Sequence, residues 1–150
     1  MHINAKVDYG VRAVLEIAAA SGTVTRADLA RAQGIPAKFL EMILATLTKA
    51  DILASHRGPA GGYVLARPAD RISVADIVRA IDGPLAAVRG LPPEDVDYRG
   101  AAEPLRDVWI AARAGLRHVL ESVTIADLHA RDLPVTLTDL LGEDGAYRRR

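Results

Sequence analysis

Apolar residues recur at helical spacing at the start of the chain. Their period predicts a first helix over residues 4–20, which Ser21-Gly22 ends. Thr25 and Asp28 have the spacing of a capping box and predict a second helix over residues 26–33. The apolar face of the first helix holds Val7, Val11, Val14, Leu15 and Ala18.

A third helix and a hairpin follow. Gly34 suits the left-handed end of the second helix, and Pro36 suits the first turn of a helix that continues to Ala50. A short helix, a tight turn and a longer helix form a helix-turn-helix. Residues 52–57 and 63–67 can pair as strands across a glycine-rich turn, which predicts a wing. The inward face of the third helix holds Phe39, Leu40, Ile43, Leu44 and Leu47.

The second half of the chain predicts two helices with an irregular segment between them. Ser73 repeats the capping device and opens a helix over residues 74–82. Residues 84–103 hold three prolines and an acidic cluster, so we expect a linker or mobile loop there. A long helix is then predicted over residues 104–122.

The long helix carries an apolar stripe that one small winged domain cannot cover. We therefore expect a homodimer joined through this helix. Gly115 lies within it at a cost of about 1 kcal/mol against alanine, which indicates close approach of another helix. The residues expected at the dimer interface are Leu105, Trp109, Ala112, Leu116, Val119 and Val123.

A third capping signature at Thr124 predicts a short helix over residues 125–131. The tail from Leu133 has one apolar patch, Leu137, Leu140 and Leu141, and ends in Arg148-Arg149-Arg150, where we expect fraying. The predicted fold is mainly α with a small β-wing: a winged helix-turn-helix plus a long C-terminal dimerisation helix. The predicted division is a DNA-binding domain over 1–83, a linker over 84–103, and a dimerisation helix with its tail over 104–150.

Composition narrows the possible functions. The chain has no cysteine, which excludes disulfides, thiolate nucleophiles and cysteine-ligated metal centres. Its net charge is zero, but residues 1–67 carry eight Lys or Arg against five Asp or Glu, a net +3 balanced by −3 in the remainder. A basic module joined to an acidic one suits a DNA reader with a second function. Without a long apolar run or a signal-peptide core, we expect a cytoplasmic protein that does not enter membranes.

The exposed face of the third helix is suited to a major groove. It presents small or polar side chains, with Lys38 and Lys49 placed to reach phosphates. Glu41 can accept a hydrogen bond from a cytosine amino group, or orient Lys38 or Arg57 instead. Met42 can touch a thymine methyl group. An ordinary solvated helix face remains the alternative for this helix taken alone.

The wing strengthens the DNA hypothesis. Arg57 stands at the edge of a turn containing Gly58, Gly61 and Gly62, where the backbone can approach a phosphate or the minor groove. A nucleotide-binding loop is the rival interpretation. It lacks the Gly-Lys-Ser/Thr ending, and a strand follows it rather than a helix.

Several motifs resemble the IscR/NsrR/CymR family of winged-helix regulators, the Rrf2 family. They are Ile3-Asn-Ala-Lys6, Asp8-Tyr9-Gly10, Gly34-Ile35, Lys38-Phe39-Leu40-Glu41 and the wing run from Arg57 to Ala66. The resemblance implies a two-fold dimer with crossing C-terminal helices that binds double-stranded DNA through the third helix and the wing. The residues expected at DNA are Lys6, Tyr9, Thr25, Lys38, Glu41, Met42, Lys49, Arg57, Gly58, Gly61 and Gly62.

The chain departs from the family pattern in two places. Many members hold an iron–sulfur cluster through three cysteines in the segment equivalent to residues 85–108, and this chain has none. Asp8 matches a position that supplies a ligand in some members, but one carboxylate cannot hold a cluster, so we expect no cofactor. Met42 replaces a glutamine that reads bases in the family, so the operator sequence cannot be inferred.

Another signal can then regulate binding. Tyr98, Arg106, Trp109 and Arg113 are candidates for a pocket that takes a small anionic or aromatic effector. The alternative is that Trp109 belongs to the dimer core and that the arginines pair with Glu103, Asp107 and Glu121.

No other function class has support in the sequence. The four histidines show no metal-ligand spacing, and no nucleophile, base and orienting group converge, so we expect no metal site and no enzyme. A winged helix used only for protein–protein contact is the alternative to a transcription regulator.

Overall fold

Seven α-helices and one hairpin make up the part of the chain that a computed structural model describes, residues 3–148. The predicted fold class, mainly α with a small β-wing, is confirmed. Met1, His2, Arg149 and Arg150 lie outside the described residues. The elements are α1 Ala5–Ala19, α2 Arg26–Gln33, α3 Ala37–Lys49, β1 Leu53–His56, β2 Gly62–Leu65, α4 Val74–Asp82, α5 Leu105–Ser122, α6 Ile125–Ala130 and α7 Val135–Gly142.

The core lies where α1, α3 and α4 meet, with α2 closing one side. The apolar faces predicted for α1 and α3 point inward, and Gly10 lets α1 approach α4 closely. Pro36 precedes α3 as its cap rather than lying in its first turn, while Gly34 takes the expected left-handed conformation with φ 63°. The fully buried side chains include Val14, Leu29, Leu40, Ile43, Leu44, Leu47 and Ile77.

The wing is held to the rest of the fold by backbone hydrogen bonds. Strands β1 and β2 are antiparallel, with Leu53 opposite Leu65 and His56 opposite Gly62. Val24, in the connection between α1 and α2, exchanges hydrogen bonds of 3.0 and 2.9 Å with Tyr63 of β2. The wing therefore sits on the helix-turn-helix in a fixed place.

Helix α6 is joined to the winged-helix core where the N-terminal caps of α4 and α6, Ser73 and Thr124, lie side by side. Residues 72–74 and 123–125 run antiparallel, and Val74 N–H donates to the Val123 carbonyl at 2.9 Å while Ile125 N–H donates to the Ile72 carbonyl at 2.9 Å. Ile125 is fully buried. The core of the DNA-binding unit thus draws on residues on both sides of the boundary predicted at residue 83.

The segment over residues 84–103 is packed rather than loose. Leu85, Pro93 and Val96 are buried, and two short 3₁₀ turns, Pro93–Asp95 and Gly100–Ala102, give it local order. Proline and acidic content predicts turns, whereas burial of these few apolar side chains depends on contacts with α4 and α5, which the sequence did not indicate. The expected linker role of this segment stays a prediction.

The tail contains a helix that the sequence did not predict. Helix α7 packs against α5 through a face that includes half-buried Leu137, and Leu140 and Leu141 stay largely exposed. The sequence did not predict this helix because its apolar pattern is short and Pro134 supplies no side-chain cap. Fraying was expected at the end of the tail, of which Arg149 and Arg150 lie outside the described residues.

Candidate nucleic-acid interface

The outer face of α3 is open to solvent along its length. The expected groove-facing side chains are all exposed, and the apolar Met42 leaves 46% of its surface accessible. An exposed methionine at this position is free to touch a thymine methyl group in a major groove. The exposed positions are Lys38, Glu41, Met42, Ala45 and Lys49.

Glu41 forms an ion pair that the sequence did not indicate. Its Oε2 lies 2.9 Å from Arg26 Nη1, which comes from the first turn of α2. The proposed partners Lys38 and Arg57 are not the ones Glu41 contacts. The only hint in the sequence was that Arg26 lies at the N-terminus of a helix, where the helix dipole disfavours a positive charge. A cation at this place suggests a role other than stabilising the helix. Arg26 therefore joins the candidate interface.

The turn of the wing requires glycine at one position above all. Gly61 N–H donates to the Gly58 carbonyl at 2.9 Å, and a Cβ on Gly61 would lie 2.5 Å from the His56 carbonyl oxygen. Thr23 fixes the turn from outside by donating its hydroxyl to the Ala60 carbonyl at 3.0 Å. Arg57 is exposed at the edge of this turn.

Two residues expected at DNA have structural contacts in the protomer. The Tyr9 ring packs edge-on against the Phe39 ring with centroids 6.0 Å apart. The Arg12 guanidinium lies 5.5 Å from the centroid of the Tyr9 ring. Arg12 also donates to the side chain and carbonyl of Gln33, so it ties α1 to the end of α2. Thr25 caps α2 by accepting from Asp28 N–H.

The cap at Thr25 also affects the protonation of Asp28. The Thr25 hydroxyl donates to the Asp28 carboxylate at 2.6 Å, and together with the Thr25 amide it holds the pKa of Asp28 below its ordinary value. The carboxylate therefore stays ionised beside the candidate interface.

Lys6 and Lys49 are both exposed. Lys49 stands apart from the centre of the interface. Lys49 lies eleven residues after Lys38, which places it about 16 Å further along the helix axis. It borders Ala80 of α4 rather than the turn between α2 and α3. A contact with the phosphate reached by Lys38 is therefore excluded for Lys49.

The four candidate effector residues do not line one pocket. Arg113 borders a cleft beside α4, Trp109 a second cavity, and Tyr98 and Arg106 a third. The Trp109 indole N–H donates to the Tyr98 hydroxyl at 3.1 Å. The effector site proposed from these four residues stays a prediction, with its side chains divided among neighbouring cavities.

Glu94 holds the arginines instead. Arg106 donates to the Glu94 carbonyl at 2.7 Å, and Arg113 pairs with the Glu94 carboxylate at 2.7 Å. The hydrogen bond from Arg113 holds the pKa of Glu94 below its ordinary value, and the charge of Arg117 acts in the same direction. Among the expected partners, Glu121 pairs with Arg79 of α4 rather than with an arginine of its own helix.

Helix α5 is only partly covered by the rest of the described chain. None of its 18 residues is buried. Leu105 and Trp109 are each 37% exposed and Val108 53% exposed. Val123 is an exception among the expected dimer residues, since it follows the helix and is buried within the protomer. A Cβ on Gly115 would meet no atom of the described chain within 4 Å, so no helix of the same protomer approaches it.

The residues present do not fit an iron–sulfur cluster. The chain has no thiolate to offer, and Asp8 is paired with Arg12 at 3.1 Å. Between residues 3 and 148, no three His, Asp or Glu side chains gather in a way that could hold a metal ion. Over the same residues, no helix has the length and apolar character needed to cross a membrane.

Comparison with known proteins agrees with this geometry. Residues 3–131 match the Rrf2 family, described as iron-dependent transcriptional regulators. A Mycobacterium tuberculosis protein named as an HTH-type transcriptional regulator is 50% identical over 142 residues, which cover 93% of this chain and 88% of that protein. The HTH-type transcriptional regulator CymR of Bacillus subtilis is 33% identical over 150 residues, covering 98% and 97% of the two chains.

Solved structures show the same likeness in three dimensions. The structure of CymR, the global cysteine regulator of B. subtilis, aligns with a TM-score of 0.72 at 30% identity, covering 87% of this chain and 98% of that one. T. potens IscR aligns with a TM-score of 0.68 at 28% identity, covering 100% and 93%. The resemblance inferred from the motifs is confirmed. The chain belongs to the Rrf2 family and is a helix-turn-helix transcriptional regulator that binds DNA.

Proposed function

We propose that the protein is a homodimeric repressor that binds a palindromic operator without an iron–sulfur cluster. The observation that carries this proposal is that one small protomer has two exposed surfaces of different character. One is the face of α3 beside the wing, flanked by Arg26, Lys38 and Arg57, and the other is the apolar face of α5.

The face of α3 supplies sequence reading. A helix whose exposed side is polar at its first turns can enter a major groove, and an arginine at a glycine turn can contact phosphate or a narrow minor groove. Since Arg26 holds Glu41 at 2.9 Å, the two side chains reach the groove as a unit rather than separately. Base reading is therefore assigned to Arg26, Glu41 and Met42, and phosphate contact to Lys38 and Arg57.

The apolar face of α5 supplies the dimer. Removing apolar surface from water contributes roughly 25 cal/mol of stabilisation per Å². A second copy that covers Leu105, Val108 and Trp109 would shield the most exposed large apolar side chains of this helix from water. A separate apolar cavity of about 190 Å³, lined in part by Val11, Val78 and Leu120, lies between α1, α4 and the far end of α5. A two-fold dimer presents two copies of α3, which requires half-sites spaced by about one helical turn of DNA or a multiple of it.

Repression is the direction of regulation that we propose. A dimer bound across promoter DNA excludes polymerase by occupying the site. The names of the relatives do not say whether these proteins repress or activate transcription, so repression belongs to the proposal.

Selection of bound sequences from random DNA with the purified full-length protein tests this function. We expect a two-fold symmetric consensus, and binding that falls steeply as salt rises because displaced counterions drive part of the affinity. Transcription in vitro from a promoter carrying the consensus should fall when the protein is added. Recovery of no consensus would instead support a winged helix used for protein contact, and increased transcription would exclude repression.

A further inference from the structure

An arginine-rich cleft lies between the winged-helix core and the long arm. It has a volume of about 480 Å³ and is bordered by α4, by α5 and by the segment that follows Gly83. Three guanidinium groups line it, from Arg79, Arg113 and Arg117, and Glu94 is the only carboxylate among the described residues that line it. We call this site the arginine cleft.

The charges in the arginine cleft do not balance. Arg113, with 16% of its side chain exposed, is paired with Glu94. Arg79 is paired with Glu121, which lies outside the lining. Arg117 forms no ion pair with any residue in the described range 3–148. A positive group therefore faces a concave surface in a protein whose net charge is zero.

The spacing of the arginines favours a ligand that carries more than one carboxylate. Arg113 and Arg117 are four residues apart on α5, so their side chains emerge from the same face about one helical turn apart. Arg79 reaches the cleft from a different helix. A single carboxylate can engage one guanidinium fork, whereas an anion with two or three carboxylates can engage several at once.

Glu94 already occupies part of this site as a tethered carboxylate. It pairs with Arg113 at 2.7 Å through Oε2 and is itself 45% exposed. It shows that a carboxylate fits against Arg113, and its exposed position lets a soluble carboxylate replace it. The carbonyl of the same residue stays fixed by Arg106, so replacement does not release the whole segment.

We propose that the arginine cleft binds a small di- or tricarboxylate anion, which Arg113 and Arg117 hold in place of the Glu94 carboxylate. The proposal concerns this cleft alone and does not depend on DNA binding. Its failure and the failure of the proposed function are therefore separate results.

Equilibrium dialysis of the full-length protein with carbon-14 citrate tests the cleft directly. Ionic strength is held constant with sodium chloride, because general charge screening would otherwise change with each addition. We expect saturable binding of one citrate per chain. Acetate, with a single carboxylate, should not displace citrate at equal concentration.

Three substitutions locate the site. Arg117→Ala removes an exposed guanidinium that has no ion-pair partner within residues 3–148. It should weaken citrate binding about tenfold or more, the range of one charge-assisted hydrogen-bonded contact. Glu94→Gln removes the competing charge and should tighten binding. Arg57→Ala is the matched control, since it removes an arginine from the wing and should leave citrate binding unchanged.

The outcomes divide clearly. Saturable binding that is weakened by Arg117→Ala and tightened by Glu94→Gln establishes the site. The proposal fails if wild type shows no saturable binding, if Arg117→Ala binds like wild type, or if Arg57→Ala abolishes binding. That last result would place the anion on the DNA-facing surface instead.

Discussion

At the scale of single residues, the turn of the wing is the place where one methyl group should matter most. A Cβ on Gly61 would lie 2.5 Å from the His56 carbonyl oxygen and 2.8 Å from the Gly58 carbonyl oxygen, so the turn must open to accept it. We expect Gly61→Ala to lower the free energy of unfolding by about 1–3 kcal/mol and to weaken DNA binding. Urea denaturation and fluorescence anisotropy with labelled operator measure the two effects.

Gly22→Ala is the matched control for this wing variant. A Cβ on Gly22 would meet no described atom within 4 Å, and Gly22 is not among the residues with positive φ. Its stability should stay within about 0.5 kcal/mol of wild type. Equal stability and equal DNA binding of the two alanine variants would show that the close turn is not needed.

The ion pair between Arg26 and Glu41 should act on DNA recognition rather than on folding. Both side chains are substantially exposed, and exposed pairs contribute at most about 1 kcal/mol to stability. We expect Arg26→Ala to weaken operator binding, and Glu41→Ala to change the preferred base at one position by about 1–3 kcal/mol. Anisotropy titrations against single-base operator variants measure both.

Arg99→Ala, which changes an exposed arginine far along the chain from α2 and α3, serves as the control and should leave both affinity and preference unchanged. If neither Arg26→Ala nor Glu41→Ala alters binding more than Arg99→Ala does, the pair is not part of the interface.

At the scale of elements, the cap of α6 couples a helix end to pH. The hydroxyl and amide of Thr124 both donate to the Asp127 carboxylate and hold the pKa of Asp127 below its ordinary value. The ionised form therefore stabilises the folded state at neutral pH. This stabilisation is lost as pH falls through the lowered folded-state pKa, because the protonated carboxyl no longer accepts both bonds.

Replacing Thr124 by alanine should remove the cap and its pH dependence together. We expect Thr124→Ala to lower the free energy of unfolding by about 0.5–2 kcal/mol at neutral pH. The difference from wild type should shrink at an acid pH below the lowered folded-state pKa, where the carboxylate becomes protonated. Urea denaturation at both pH values measures it.

Thr138→Ala is the control for the cap, since the Thr138 hydroxyl only donates to the Val135 carbonyl within its own helix. A Thr124→Ala variant that matches Thr138→Ala at neutral pH would show that the cap does not stabilise α6.

Elements that depend on local contacts were the predictable ones. All three capping boxes were recognised because each joins residues three apart, and the hairpin was recognised because its turn demands glycine. Helix α7 and the packed segment over 84–103 were missed, since their order comes from contacts with α5. The same limit applies to the site. The partner of Glu41 lies fifteen residues earlier, on another helix, where no periodicity points to it.

At the scale of the whole molecule, the two halves of the chain share one core but leave two different surfaces open. Helix α6 returns to pack beside α1, so the winged-helix unit and the arm are joined at both ends of α5. This arrangement fixes the direction of α5 relative to α3. A partner that covers α5 would therefore hold its own α3 at a set distance from the first, which a palindromic operator requires.

The face of α5 gives the last prediction. A carboxylate introduced at Val108 would be buried without a partner in a dimer, whereas the protomer leaves that position 53% exposed and should still fold. We expect Val108→Asp to sediment as a folded monomer at roughly micromolar concentration, where wild type sediments as a dimer. The monomer should bind a full operator much more weakly, because it gains only one half-site per binding event.

Ala114→Asp is its matched control, since Ala114 is also exposed but lies on the opposite side of α5 from the apolar stripe. It should remain dimeric and bind the operator like wild type. A wild-type protein that sediments as a monomer would contradict the dimer outright. A dimer disrupted equally by both substitutions would show instead that the helix as a whole, rather than its apolar face, is what the partner requires.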